Sequence, residues 1–216
     1  MITRDSVLIL ATRSAGKLAE LRPLVVAHGW EIETLADLGV DEVAEEALLE
    51  DAETFEENAL AKARYFAART GRAVLADDSG LAVDLLQGRP GVHSKRWSHR
   101  PDLEGAALDA ENNALLLSTL RAIGGDPSVR RARYVCAAAF VAGDRSCVVR
   151  GETTGRILEA PRGIGGFGYD PLFLSDDLGV TFGEASREAK AAVSHRGRAF
   201  RALLDAVARC EFREPR

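Results

Sequence analysis

The run Val7-Leu-Ile-Leu-Ala11 has no polar position and is β-branched at Val7 and Ile9, which predicts a strand covered on both faces. It stops at Thr12-Arg-Ser-Ala-Gly-Lys17, and Leu18, Leu21 and Val25 then recur at helical spacing. The polar loop therefore falls between a strand and a helix N-terminus. Pro23 lacks a backbone N–H and predicts a kink or a late helix start. A second helix begins at Thr54, whose hydroxyl forms a capping box with Glu57. Its apolar face is Phe55, Ala59, Ala63, Phe66 and Ala67, and Gly71 ends it. Ala73-Val-Leu-Ala76 predicts a short strand that runs into Asp77-Asp78-Ser79-Gly80, setting two carboxylates at a strand's end.

A third helix from Leu108 to Ile123 is carried by Leu108, Leu115, Leu116, Thr119, Leu120 and Ile123, and closes at Gly124-Gly125. Beyond it the pattern becomes strand-like. Tyr134 to Val141 and Cys147 to Thr154, separated by Ala142-Gly-Asp-Arg145, predict a β-hairpin. A glycine-rich stretch, Gly163 to Gly168, leads to Asp170-Pro-Leu-Phe-Leu174, and a last helix carries Phe200, Leu203, Leu204 and Val207 on one face. Units of βα type combined with an antiparallel hairpin predict an α/β fold with a mixed sheet and two lobes.

The length of 216 residues suits one enzyme-sized unit, 1–216, with a sizeable core. The 46% apolar and 28% charged content is that of a folded globular chain, not of a disordered one. A formal net charge of −5 offers no general attraction for polymeric DNA or RNA, though a local basic pocket can still take phosphates. Cys136, Cys147 and Cys210 form no CxxC pair, so neither a disulfide framework nor a zinc site is expected, and a reducing cytoplasm fits. The N-terminal apolar run is too short for a signal peptide or a membrane span.

Several segments carry candidate chemistry. Thr12, Arg13, Ser14, Ala15, Gly16 and Lys17 offer hydroxyls, accessible amides and an ammonium group at a helix start, which suits an oxyanion. The GxxxxGK(S/T) spacing of a P-loop is absent, and a plain polar βα turn reads equally well. Asp77 and Asp78 can hold a hard cation or activate water, and Gly80 allows a backbone to approach a ligand closely. Phe167, Tyr169 and Asp170 combine aromatic faces with an acid that could read a base edge, the alternative being a loop with packed aromatics. Lys190 and Ser194-His-Arg196 add cationic donors, or else form a solvated helix start.

Five segments together resemble the successive signatures of the Ham1/RdgB family of inosine and xanthosine triphosphate pyrophosphatases. They are 11–20, 54–62, 76–84, 166–173 and 194–197, in order along nearly the whole chain. The resemblance implies an elongated two-lobed α/β fold with a central mixed sheet, a homodimer, and a cleft that binds a nucleoside triphosphate with Mg²⁺. It makes Thr12 to Lys17 the phosphate loop, puts Glu20 near the metal, and makes Asp78 the general base and a metal ligand. Asn58 and Lys62, one helical turn apart, would support the phosphates, and Ser79 would touch substrate. Phe167, Gly168, Tyr169 and Asp170 would hold the base, with Lys190, His195 and Arg196 completing the pocket. Ser14 stands where the family commonly has Asn. The second acidic metal ligand falls among Glu45, Glu46 and Glu50, and is assigned to Glu50.

The activity implied is hydrolysis of dITP, ITP and XTP to the monophosphate and pyrophosphate, with His195 and Arg196 donating to the 6-oxo edge. A Maf-like pyrophosphatase and a nucleotide sensor without catalysis are the rival readings. A zinc deaminase is excluded, because the chain lacks the paired HxE and PCxxC motifs.

Overall fold

An unbroken apolar strand needs cover on every side, and β1 (Leu8–Leu10) has it: β2 (Ile32–Thr34) and β3 (Val74–Val83) flank it, both parallel. The computed structural model describes residues 7–124 and 129–209, so Gly125 and Cys210 lie outside the described residues. α1 (Ala15–Ala27) follows β1, and Ser14 caps it by accepting from the Lys17 backbone N–H at 3.3 Å. Pro23 lies inside this helix, which neither starts late nor stops there, because Leu21 and Val25 anchor its buried face on both sides of the proline.

α2 (Phe55–Thr70) has Thr54 as its N-cap, accepting from Glu57 N at 3.2 Å. The Glu57 carboxylate takes the Thr54 hydroxyl proton at 2.7 Å, a side-chain variant of the capping box. Gly71 closes α2 at φ +68°, a left-handed position that favours glycine.

The acidic pair does not lie at a strand's end. β3 continues through Asp77 and Asp78 to Val83. Adjacent side chains of a strand point to opposite faces, so two neighbouring acids can both be buried if each face offers partners. Gly80 corrects a second expectation: what approaches it is protein, not ligand. A Cβ there would overlap the Gly91 carbonyl oxygen and Ser94 Oγ, and that hydroxyl accepts from Leu81 N at 2.8 Å.

α3 (Gly105–Ile123) starts slightly earlier than its apolar pattern predicts. β4 (Arg131–Ala142) and β5 (Arg145–Ile157) are joined by a two-residue turn with Gly143 at φ +57°. β6 (Phe173–Ser175) pairs antiparallel to β5, with Leu174 opposite Arg156. The sheet order is β2-β1-β3-β4-β5-β6, a mixed six-stranded sheet flanked by helices. The last helices are α4 (Arg187–Val193) and α5 (His195–Ala208).

The chain divides into two compact units. The first comprises Met1–Asp78, Cys136–Gly151 and His195–Arg216, and the second Ser79–Val135 and Glu152–Ser194. The first unit's core packs Leu21, Val25, Phe140, Phe200, Leu203 and Leu204 around β1. The second packs Leu81, Leu116, Leu120, Tyr134, Phe173 and Phe182. Among the described residues neither Cys136 nor Cys147 forms a disulfide, and no helix is long and apolar enough to cross a membrane.

Candidate active site

In the first unit, cations and carboxylates that are far apart in sequence converge on β3. Lys17, in the first turn of α1, places Nζ 3.0 Å from Asp77 Oδ2. Arg196, the second residue of α5, places Nε 3.4 Å from the same oxygen and pairs through Nη1 with Glu20. Lys62 donates to the Asp77 carbonyl at 3.0 Å and pairs with Glu50. On the other side of the strand's pleat, Asn58 donates to Asp78 Oδ2 at 2.9 Å, while its own Oδ1 accepts from Ala52 N at 2.8 Å. Asn58 and Lys62 share one face of α2, so this helix meets the Asp78 carboxylate through Asn58 and the Asp77 backbone carbonyl through Lys62.

The two aspartates have opposite electrostatic settings. Burial alone would raise Asp77, but Lys17, Arg196 and Lys62 outweigh it and hold the carboxyl well below the usual carboxylate range. Asp78 is pushed above its ordinary value, first by burial and then by the nearby Glu50 charge, against the pull of Lys17, Lys62 and Asn58. Asp77 is thus a fixed anion that positions Lys17 and Arg196, and Asp78 is the stronger proton acceptor. Carboxylates whose environments separate them in this way suit different roles in one reaction.

The phosphate-loop residues divide by what their side chains do. Arg13 is engaged elsewhere: Nη2 meets Glu46 Oε1 at 2.8 Å, Nε meets Oε2 at 3.1 Å, and Nη1 donates to the Val40 carbonyl at 2.8 Å. The bidentate pair with Glu46 occupies donors of the kind a phosphate would use. Thr12 Oγ1 accepts from Ser14 N at 3.2 Å, and Ser14 is the helix cap, so both hydroxyls order the loop. Ala15 and Gly16 contribute backbone at the helix start, and Lys17 supplies the charge.

Of the three candidate second acids, Glu50 faces the cluster. Glu46 is held by Arg13 and by Arg69, whose Nη1 lies 3.2 Å from Oε1, and Glu45 is exposed. Among the described residues no three His, Cys, Asp or Glu side chains are grouped to hold one ion. Two hard carboxylates still fit Mg²⁺, which is commonly bound by one or two acids with substrate phosphate oxygens and water completing the shell.

In the second unit the loop 166–170 folds around its own acid. Asp170 Oδ2 accepts from Phe167 N at 2.8 Å and from Lys190 Nζ at 2.5 Å, and Oδ1 accepts from the Tyr134 hydroxyl at 3.3 Å. Gly166 has φ +72°, and a Cβ there would overlap the Asp170 carboxyl. Asp170 is 2% exposed, and with these contacts its carboxylate supports the loop. Tyr169 is likewise turned inward: it is buried in the core and donates to the Ser94 carbonyl at 2.8 Å. Only Phe167 of the two aromatics is left half-buried at the loop, with the Lys190 ammonium 5.1 Å from its ring centroid.

His195 and Arg196 are each 3% exposed, which removes the reading of a solvated basic helix start. The absence of a Cβ at Gly151 makes room for the His195 carbonyl and for Ala199, which lets the start of α5 settle against β5. The Arg196 donors turn to Glu20 and Asp77. Ser79 and Gly168 complete the set, Ser79 in β3 just beyond Asp78 and Gly168 in the glycine loop. The sequence reading missed Tyr134 and Ser94; the only available signal was the inward register of Tyr134 on its strand.

The Ham1 family model matches residues 8–206. The chain is 49% identical over 197 residues to the dITP/XTP pyrophosphatase of Frankia alni, covering 90% of this chain and 94% of the relative. It is 51% identical over 205 residues to the dITP/XTP pyrophosphatase of Mycolicibacterium paratuberculosis, covering 94% and 96%. Among solved structures, a HAM1 protein from Coxiella burnetii superposes with a TM-score of 0.80 at 32% identity, covering 94% of this chain and 99% of the other.

Proposed function

This chain belongs to the Ham1 family, and on that premise we propose that it hydrolyses deaminated purine nucleoside triphosphates, dITP, ITP and XTP, to the monophosphate and pyrophosphate. The observation that carries the reading is the pair of buried neighbouring aspartates with opposed environments beside Lys17 and Lys62. Asp78 takes the proton of a water that attacks the α-phosphorus, and Asn58 holds the accepting carboxylate in place. Lys17 and Lys62 bring positive charge to the phosphates, and Asp77 keeps both ammonium groups aimed. Mg²⁺, held by Asp78 and Glu50, would supply further neutralisation of charge on the departing pyrophosphate.

Base choice belongs to the second reading within this proposal. A pocket that hydrogen-bonds the 6-oxo edge leaves buried groups unpaired when adenine brings an amine there. That role is assigned to the glycine loop through Phe167, whose half-buried ring lies beside the Lys190 ammonium. The homodimer and the cytoplasmic setting implied by the family resemblance belong to the same proposal. So does a substrate range confined to free nucleotides.

The test is a panel measuring Mg²⁺-dependent pyrophosphate release from dITP, XTP, dGTP, dATP and dCTP. The expected result is that dITP and XTP are cleaved about 10²-fold or more faster than dATP, the discrimination that two mispaired donors provide. Equal cleavage of all five overturns the base assignment, and binding without release identifies a sensor.

Lys17→Ala is expected to raise KM and lower turnover alike for every triphosphate, because its partner is common to all nucleotides. Steady-state kinetics on dITP and dGTP should return an unchanged ratio between the two. A shifted ratio with normal triphosphate binding removes Lys17 from the phosphate site.

A further inference from the structure

The Gly168 peptide is gripped at both of its polar ends by one helix. Its N–H donates to Asp109 Oδ2 at 2.7 Å, and its C=O accepts from Asn113 Nδ2 at 2.9 Å. Asp109 and Asn113 lie four residues apart in α3, and so on one face. Gly168 itself is left-handed at φ +63°, a conformation open to glycine. We propose that Asp109 and Asn113 are positioning residues for base selection, fixing through Gly168 the place at which Phe167 meets the purine.

The amide orientation of Asn113 is determined by this contact. Turning it over would set Oδ1 against the Gly168 carbonyl oxygen, and in the orientation present Oδ1 is buried without a hydrogen-bond partner. A buried acceptor left unsatisfied is costly, so the grip on Gly168 is held against a penalty. The neighbouring residue of α3 ties down a second support. Asn112 accepts from Ser98 N at 2.8 Å and donates to the Lys95 carbonyl at 3.1 Å, securing the turn whose Ser94 carbonyl receives the Tyr169 hydroxyl. Tyr169, the residue after Gly168, therefore stands on α3 as well. Phe167 is bound from its other side by Asp170, so removing the α3 grip leaves its ring tethered but misplaced.

The inference rests on the reading of loop 166–170 as the holder of the base, and the experiment separates the two. Wild type, Asp109→Ala, Asp109→Asn, Asn113→Ala and Asp109→Glu are compared by kcat and KM for dITP and dATP, by melting temperature, and by amide hydrogen exchange of the segment around Gly168. Asp109→Ala and Asn113→Ala should speed exchange there and raise KM for dITP about tenfold, as expected for one lost charge-assisted or buried hydrogen bond. The dITP-to-dATP preference should narrow accordingly, with kcat changed less than KM. Asp109→Asn, whose amide oxygen can still accept from Gly168, should restore the preference. If the alanine variant does not fold, Asp109→Glu, which shifts the carboxylate by one methylene, carries the test. An unchanged preference in the folded variants, or no recovery in Asp109→Asn, overturns the inference. A wild-type enzyme that cleaves dITP and dATP equally overturns the base-holding reading instead.

Discussion

The Asp78→Asn protein is expected to lose pyrophosphate release by at least ~10²-fold, the usual contribution of a positioned general base, while melting no lower than wild type. The amide keeps the shape of the carboxylate, and its oxygen can still accept from Asn58 Nδ2. Burial and the Glu50 charge penalise the ionised form of Asp78, so a neutral replacement relieves a penalty in the folded state. Activity and stability therefore separate. The pH profile supplies a second reading. A base works when deprotonated, so wild-type kcat/KM should fall as pH drops through a pKa above the ordinary aspartate value, and the residual activity of the variant should lack that limb. Turnover within a few-fold of wild type would show that another group takes the proton.

The choice between the two aspartates could not be made from their positions in the chain. They are neighbours, and what separates them is Arg196 from α5 beside Asp77 and Glu50 near Asp78, both distant in sequence. Local patterns were legible because their causes are local: the apolar β1 run, the Thr54 cap, and the faces of α2 and α5 all follow from periodicity. The length of β3 was not, since an acidic pair reads as a break until partners on both sides of the pleat are known. The pairing of Arg13 was illegible for the same reason. Its acid, Glu46, lies 33 positions away, and a basic residue in a phosphate-binding loop carries no sign that it is already paired. Tyr169 and Asp170 sit in the motif that marks the base loop, yet their side chains build the loop from beneath. A motif identifies the segment that matters; burial decides which of its side chains touch the ligand.

Arg196 makes that distinction measurable. Its buried guanidinium meets both Glu20 and Asp77, so Arg196→Ala takes a shared cation from the buried Asp77 and the part-exposed Glu20. Removing one partner of such an arrangement costs about 3–5 kcal/mol. For a chain of this size that lowers the melting temperature by about 6–20 °C. Arg196→Lys should recover part of the loss, because a single ammonium keeps the charge but cannot reach both acids as the planar fork does. The sign of the pH dependence follows from Asp77. Its folded pKa lies below the ordinary 3.8, so its contribution is present above that value and is lost as pH falls through the folded pKa. Urea unfolding should therefore show a wide gap between wild type and Arg196→Ala at neutral pH, narrowing as the medium is acidified below about 4. The substrate ratio gives an independent check. Because the Arg196 donors face acids, the folded variant should lose dITP and dATP cleavage in equal proportion. A ratio that narrows, with stability unchanged, would return Arg196 to the 6-oxo edge and leave Asp77 to be held down by the two lysines alone.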